Sequence, residues 1–131
     1  MTARPNLKTP TGTCDCHMHI YDARFPLAGK ARSREADAPV SAYRELQQRL
    51  GLERVVVVQP TAYGRDNSCT LAAMAELGTG ARGIGVVDDT VTDAELERLT
   101  RAGMRGVRFR MLDSVGKQLA ASALTRGGRA R

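Results

Sequence analysis

The chain's only two histidines stand two residues apart, in the segment Cys14-Asp15-Cys16-His17-Met18-His19. Side chains alternate along an extended strand, so His17 and His19 fall on one face. Two imidazoles placed this way can polarise a carbonyl or chelate a metal ion. Strict alternation adds Asp15 and Tyr21 to that polar face. Cys14, Cys16, Met18 and Ile20 then form an apolar face suited to burial under helices. A zinc site made from Cys14, Cys16, His17 and His19 is poor geometry, because its thiolates and imidazoles would project to opposite sides.

Two other groups of residues could serve the histidines. After a run of valines comes Gln59-Pro60-Thr61-Ala62-Tyr63-Gly64. Thr61 and Tyr63 carry hydroxyls able to donate to substrate oxygens, or they are ordinary loop residues. Farther on, Arg108 and Arg110 alternate with Val107, Phe109 and Met111. Inward arginines are costly unless paired. Near a strand end they can grip a carboxylate with two parallel hydrogen bonds. The competing reading pairs them with Asp15, Asp88 or Asp113. The catalytic candidates are therefore His17 and His19, and the substrate-binding candidates are Thr61, Tyr63, Arg108 and Arg110.

The elements that must position these residues alternate in type. Residues 14–20 read as a strand and residues 22–40, with Pro26, Gly29 and Pro39, as a long loop. Ser41 is an expected N-cap for a helix that Gly51 closes. Val55–Val58 is a β-branched run suited to a strand buried on both faces. A second helix follows Asp66-Asn67-Ser68 and stops at Gly78. Residues 82–87 form a third strand. Thr92 to Glu95 has the capping-box pattern of a third helix. Residues 106–111 form a fourth strand. This β-α-β-α-β-α-β order predicts an α/β fold with parallel strands. No Gly-x-Gly-x-x-Gly follows the first strand, which disfavours a dinucleotide site. A row of polar groups on one face of a buried strand fits a (β/α)₈ barrel, whose strands point side chains into a central mouth.

Composition sets the outer limits. The chain has 131 residues, 42% hydrophobic and 26% charged, near the average for globular proteins. A complete (β/α)₈ barrel typically takes about 250 residues. The net charge is +6, and four cations without an acid lie between Lys117 and Arg131. Basicity thus belongs to the tail, and a nucleic-acid partner is disfavoured. Three cysteines, two of them at i and i+2, do not make a secreted disulfide framework. No segment has the roughly 20 apolar residues of a membrane span. A soluble cytoplasmic protein is expected. Three regions follow: an irregular lead-in over 1–12, a barrel portion over 13–116, and a disordered basic tail over 117–131.

Three blocks, in this order, carry a resemblance: Cys-Asp-Cys-His-Met-His-Ile-Tyr-Asp, Val-Val-Val-Gln-Pro-Thr-Ala-Tyr-Gly-Arg-Asp-Asn, and Arg105-Gly106-Val107-Arg108-Phe109. Together they resemble the amidohydrolase-related family. The similarity is greatest to its metal-independent lactone branch, that of 2-pyrone-4,6-dicarboxylate lactonases and D-galactarolactone isomerases. The resemblance implies the first half of a TIM (β/α)₈ barrel: four parallel strands and three intervening helices. It implies a small-molecule carboxylated lactone as substrate and no cofactor. His17 and His19 would polarise the lactone carbonyl. Thr61 and Arg108 would bind its carboxylate or ring oxygens, with Tyr63 a further candidate.

Some positions depart from the family pattern. Arg110 stands where members commonly have Asn. Met111 to Gly116 lacks a basic residue found there in the pyrone enzymes, which tilts the expected substrate towards a sugar-acid lactone. The family's later histidine and general-base aspartate have no counterpart. These departures predict a shortened hydrolase or isomerase without turnover of its own, prone to self-association through exposed sheet edges. One alternative is a metal-dependent hydrolase with a divalent ion such as zinc on His17 and His19. Another is a small basic nucleic-acid-binding module acting through residues 117–131.

Overall fold

The computed structural model describes residues 5–28 and 37–109. Its elements are β1 (Cys14–Met18), α1 (Val40–Leu50), β2 (Arg54–Val58), a 3₁₀ turn (Thr61–Tyr63), α2 (Ser68–Leu77), β3 (Ala81–Gly85), α3 (Asp93–Arg101) and β4 (Met104–Val107). The four strands form one parallel sheet in the order β1-β2-β3-β4. Arg110, the 111–116 segment and the basic tail lie outside the described residues.

Local chemistry explains where the elements stop and start. α1 ends at Gly51, which takes a left-handed φ of 71° and returns its N–H to the Gln47 carbonyl. Its start differs from expectation: the helix begins at Val40 after Pro39, with no side-chain cap, so Ser41 is already inside the first turn. Proline's fixed φ needs no donor there. α3 starts as predicted, with Thr92 Oγ1 accepting from the Glu95 N–H at 3.2 Å. The Glu95 carboxylate turns to Arg98 instead of closing the box. The lead-in is irregular but anchored, since Thr9 donates to the Gly51 carbonyl at 2.8 Å.

One core lies between the sheet and all three helices. It joins Val40 and Tyr43 of α1, Ala73 and Met74 of α2 and Leu99 of α3 to Val55, Val57, Ala81 and Met104 of the strands. Gly83 lets two methionine side chains close over the sheet here. A Cβ at that position would lie 2.6 Å from the Met104 sulfur, with the Met74 sulfur also in the way. The opposite sheet face, with Val56 and Ile84, is only half-buried. Sequential strand order with every helix on one face is the arrangement of a (β/α) barrel. A doubly wound sheet reverses its order and carries helices on both faces.

Candidate active site

The C-terminal ends of β1, β2 and β4 bring the candidate residues together. His19 follows β1, and its Nδ1–H donates to the Val58 carbonyl at 2.8 Å. A carbonyl can only accept, so this contact fixes the tautomer and leaves Nε2 as the outward nitrogen. His17 and His19 meet edge to face, with ring centroids 5.1 Å apart. Arg108 lies just past β4 and donates from Nη1 to the Gln59 carbonyl at 3.2 Å. His19 and Arg108 therefore hold successive carbonyls at the end of β2, from its two sides. The imidazole of His19 and the guanidinium thus lie at the same end of the sheet. Thr61 is exposed on the 3₁₀ turn beside it.

Asp15 does not join this face, contrary to strict alternation. β1 pairs Asp15 with Val55 but Met18 with Val57, so β1 holds one extra residue across this interval. Such a bulge shifts the phase of the strand. Asp15 goes with Val55 to the helix layer, where Oδ2 accepts from the Tyr43 hydroxyl at 3.1 Å. Burial, and then Asp15, push the Tyr43 hydroxyl well above its usual range. Beyond the bulge, Met18 packs on the core and Ile20 is buried in it, leaving His17 and His19 on the open side. The cysteines do not form the expected packing face: Cys16 is exposed and Cys14 half-buried.

Tyr63 also departs from its expected role. It is 1% exposed, and its hydroxyl donates to the Asp22 carbonyl and accepts from the Asp22 N–H, both at 3.0 Å. The phenol thus anchors the loop after β1 to the turn after β2. It is not aimed into the mouth. The competing reading, Arg108 paired with Asp15 or Asp88, does not hold among the described residues: Asp15 takes the Tyr43 hydroxyl and Asp88 pairs with Arg65. Arg110 lies outside the described residues.

Two supporting residues were not anticipated. Gln59 is fully buried. Its Nε2 donates to the Gly64 and Asp66 carbonyls at 3.1 and 2.8 Å, and its Oε1 accepts from Thr70 at 2.6 Å. This holds the turn that carries Thr61. Asn67 spans to the residue just past β3, accepting from the Val86 N–H at 2.9 Å and donating to its carbonyl at 2.8 Å. A lone amide between a buried valine run and a proline was the available signal for Gln59.

A catalytic zinc ion usually takes three protein ligands. Among the described residues no three His, Cys, Asp or Glu side chains are grouped to hold a metal. His17 and His19 supply two nitrogens, and Asp15 faces the helices. The described residues thus provide part of a ligand set.

Comparison with known proteins agrees with this fold. The chain is 38% identical over 109 residues to a 2-pyrone-4,6-dicarboxylate hydrolase from Comamonas testosteroni, covering 82% of this chain and 36% of that protein. It is 39% identical over 107 residues to a D-galactarolactone isomerase from Agrobacterium fabrum, covering 80% and 37%. An apo crystal structure from Agrobacterium tumefaciens superposes with a TM-score of 0.81 at 35% identity, covering 94% of this chain and 45% of that one. The chain thus spans little more than a third of the length of these curated relatives. The amidohydrolase family profile matches residues 14–127, and the chain belongs to that family.

Proposed function

We propose that this chain carries the carbonyl-polarising and anion-binding share of a site for a carboxylated lactone, of the sugar-acid type. The observation that carries this is the joint seating of His19 and Arg108 on the end of β2. It places an imidazole pair and a guanidinium at one end of the sheet. A lactone carbonyl would lie against the imidazoles and a carboxylate against Arg108, with Thr61 donating a hydroxyl. Both of the relatives named above bear names of lactone or pyrone chemistry, which supports the substrate class.

Hydrolysis also needs a base to activate water. Asp15 has both oxygens engaged, by Tyr43 and by the His17 N–H. Among the described residues no carboxylate is hydrogen-bonded to either imidazole. The chain alone is expected to bind a lactone without turning it over. The edges of β1 and β4, which pair with no further strand among the described residues, favour association between copies. Three free cysteines support a cytoplasmic setting. No helix among the described residues is long and apolar enough to cross a membrane.

The test is an NMR titration with D-galactarolactone and 2-pyrone-4,6-dicarboxylate. Both His ring signals should shift, and Arg108→Gln should weaken binding about tenfold or more, as charge-assisted hydrogen bonds are lost. Ring signals that stay fixed at millimolar lactone would reject the reading.

A second reading rests on the His19 contact. Metal-bound histidines commonly donate their other ring N–H to a carbonyl, as His19 does to Val58. Stoichiometric zinc by elemental analysis, lost in His17→Ala, would favour it.

A further inference from the structure

We propose that Asp15 is a positioning residue, which clips the β1 bulge and so turns His17 and His19 to the open face of the sheet. The inference rests on the reading of that face as the working one. It adds a residue to the site that touches no substrate.

The geometry starts from register. From Asp15 to Met18 the first strand advances three residues, while β2 advances two, from Val55 to Val57. Val55 and Val57 are 2% and 0% exposed and face the helices. Asp15 and Met18 are their partners and share that side. In a regular strand, residues at i+2 and i+4 from Asp15 would follow it to the helix side. Those residues are His17 and His19. Without the extra residue, both imidazoles would lie under α1 and Met18 would point outward. A one-residue slip inverts every side chain that follows.

Asp15 is the side chain that spans the bulge. Its Oδ1 accepts from the His17 N–H at 3.2 Å, closing a local turn across Cys16. Its Oδ2 accepts from the Tyr43 hydroxyl at 3.1 Å. Tyr43 is 6% exposed within the core on α1. The carboxylate therefore ties the bulged backbone to a fixed helix. Downstream, the same phase lets His19 reach the Val58 carbonyl. Release of the clip should loosen that contact first, because it is made four residues away on the same strand.

The test reads the histidine rings directly by long-range ¹H–¹⁵N NMR, without any lactone, on the full chain. The native protein should show His19 protonated at Nδ1. Asp15→Ala should reduce that tautomer preference about tenfold, the equivalent of about one net hydrogen bond. Asp15→Asn should restore it, since the amide oxygen can accept from His17 and the amide nitrogen can donate to Tyr43. Tyr43→Phe keeps the ring in the core and should give a smaller loss, about threefold. It also serves if Asp15→Ala does not fold. Circular dichroism establishes that each variant is folded. Folded variants with native ring spectra, or a Tyr43→Phe protein unchanged beside an unfolded Asp15→Ala, would overturn the proposal. So would an Asp15→Asn protein no better than Asp15→Ala. Ring spectra that respond to Asp15 but not to lactone would reject the functional reading and leave this one standing.

Discussion

Replacing Gln59 by Leu should be among the most damaging single changes in the chain. Leucine fills similar space but makes none of the three side-chain hydrogen bonds of Gln59. An intramolecular hydrogen bond contributes about 1 kcal/mol net, and a buried partner left unsatisfied costs about 1–3 kcal/mol. The three partners are unequal. The Gly64 and Asp66 carbonyls belong to a partly exposed loop that water can enter. The Thr70 hydroxyl is 1% exposed and has no such recourse. Two carbonyls at about 1 kcal/mol each, plus a stranded hydroxyl at about 2, give a loss of about 4 kcal/mol. That is a large share of the roughly 5–15 kcal/mol stability of a typical domain.

The assay is urea unfolding of three proteins: Gln59→Leu, Thr70→Val and the double variant. Removing both members of a buried pair is far milder than removing one. The double variant should therefore recover about 1–2 kcal/mol relative to the sum of the single changes, because no hydroxyl is stranded. A double-mutant cycle isolates that coupling. A Gln59→Leu protein within about 1 kcal/mol of native would refute the accounting, as would strict additivity in the cycle.

Acid should weaken the start of α2. The Ser68 hydroxyl and N–H hold the Asp66 carboxyl below its ordinary range, which lies near about 4. A depressed folded value means a stabilisation that is full above the unfolded value and lost as pH falls through the folded one. Thermal melts of native protein and Asp66→Ala should differ at pH 7 and draw together as the pH falls below the ordinary carboxyl range; a constant gap would contradict the assignment. Separately, the edges of β1 and β4, which pair with no further strand among the described residues, should make sedimentation of the chain concentration-dependent. A lysine introduced at Cys16, on the exposed edge strand, should reduce that dependence, and a monomer at all concentrations would count against it.

Much of the architecture was legible because it depends on local chemistry. The Val55–Val58 run, the Gly51 stop and the Thr92 cap each act over a few residues, and the structure has them where the sequence placed them. β4 starts two residues earlier than its pattern suggested. Gly103 takes a φ of 103° and Met104 is drawn into the core, so pairing begins there. The role of Tyr63 was not legible, because its hydroxyl is used by a backbone 41 residues away. Alternation failed at Asp15 for a related reason. A bulge is a relation between two strands, and β1 alone does not reveal what β2 will pair with.

The His19 contact also constrains how the site could polarise a carbonyl. With Nδ1–H given to Val58, a neutral His19 offers only a lone pair at Nε2. A lone pair cannot donate to a lactone oxygen. It can bind a metal, or it can donate only after it takes a proton and becomes imidazolium. The metal-free reading thus requires a cationic His19, or it transfers the donor role to His17, whose ring meets His19 at an interplanar angle of 80°. The two cases differ in which ring the lactone needs. If His19 is the donor, lactone affinity should be lost in His19→Ala and largely kept in His17→Ala. If His17 donates, affinity should vanish in His17→Ala. Affinity kept in both variants would exclude both cases and leave the lone pair at Nε2 for a cation.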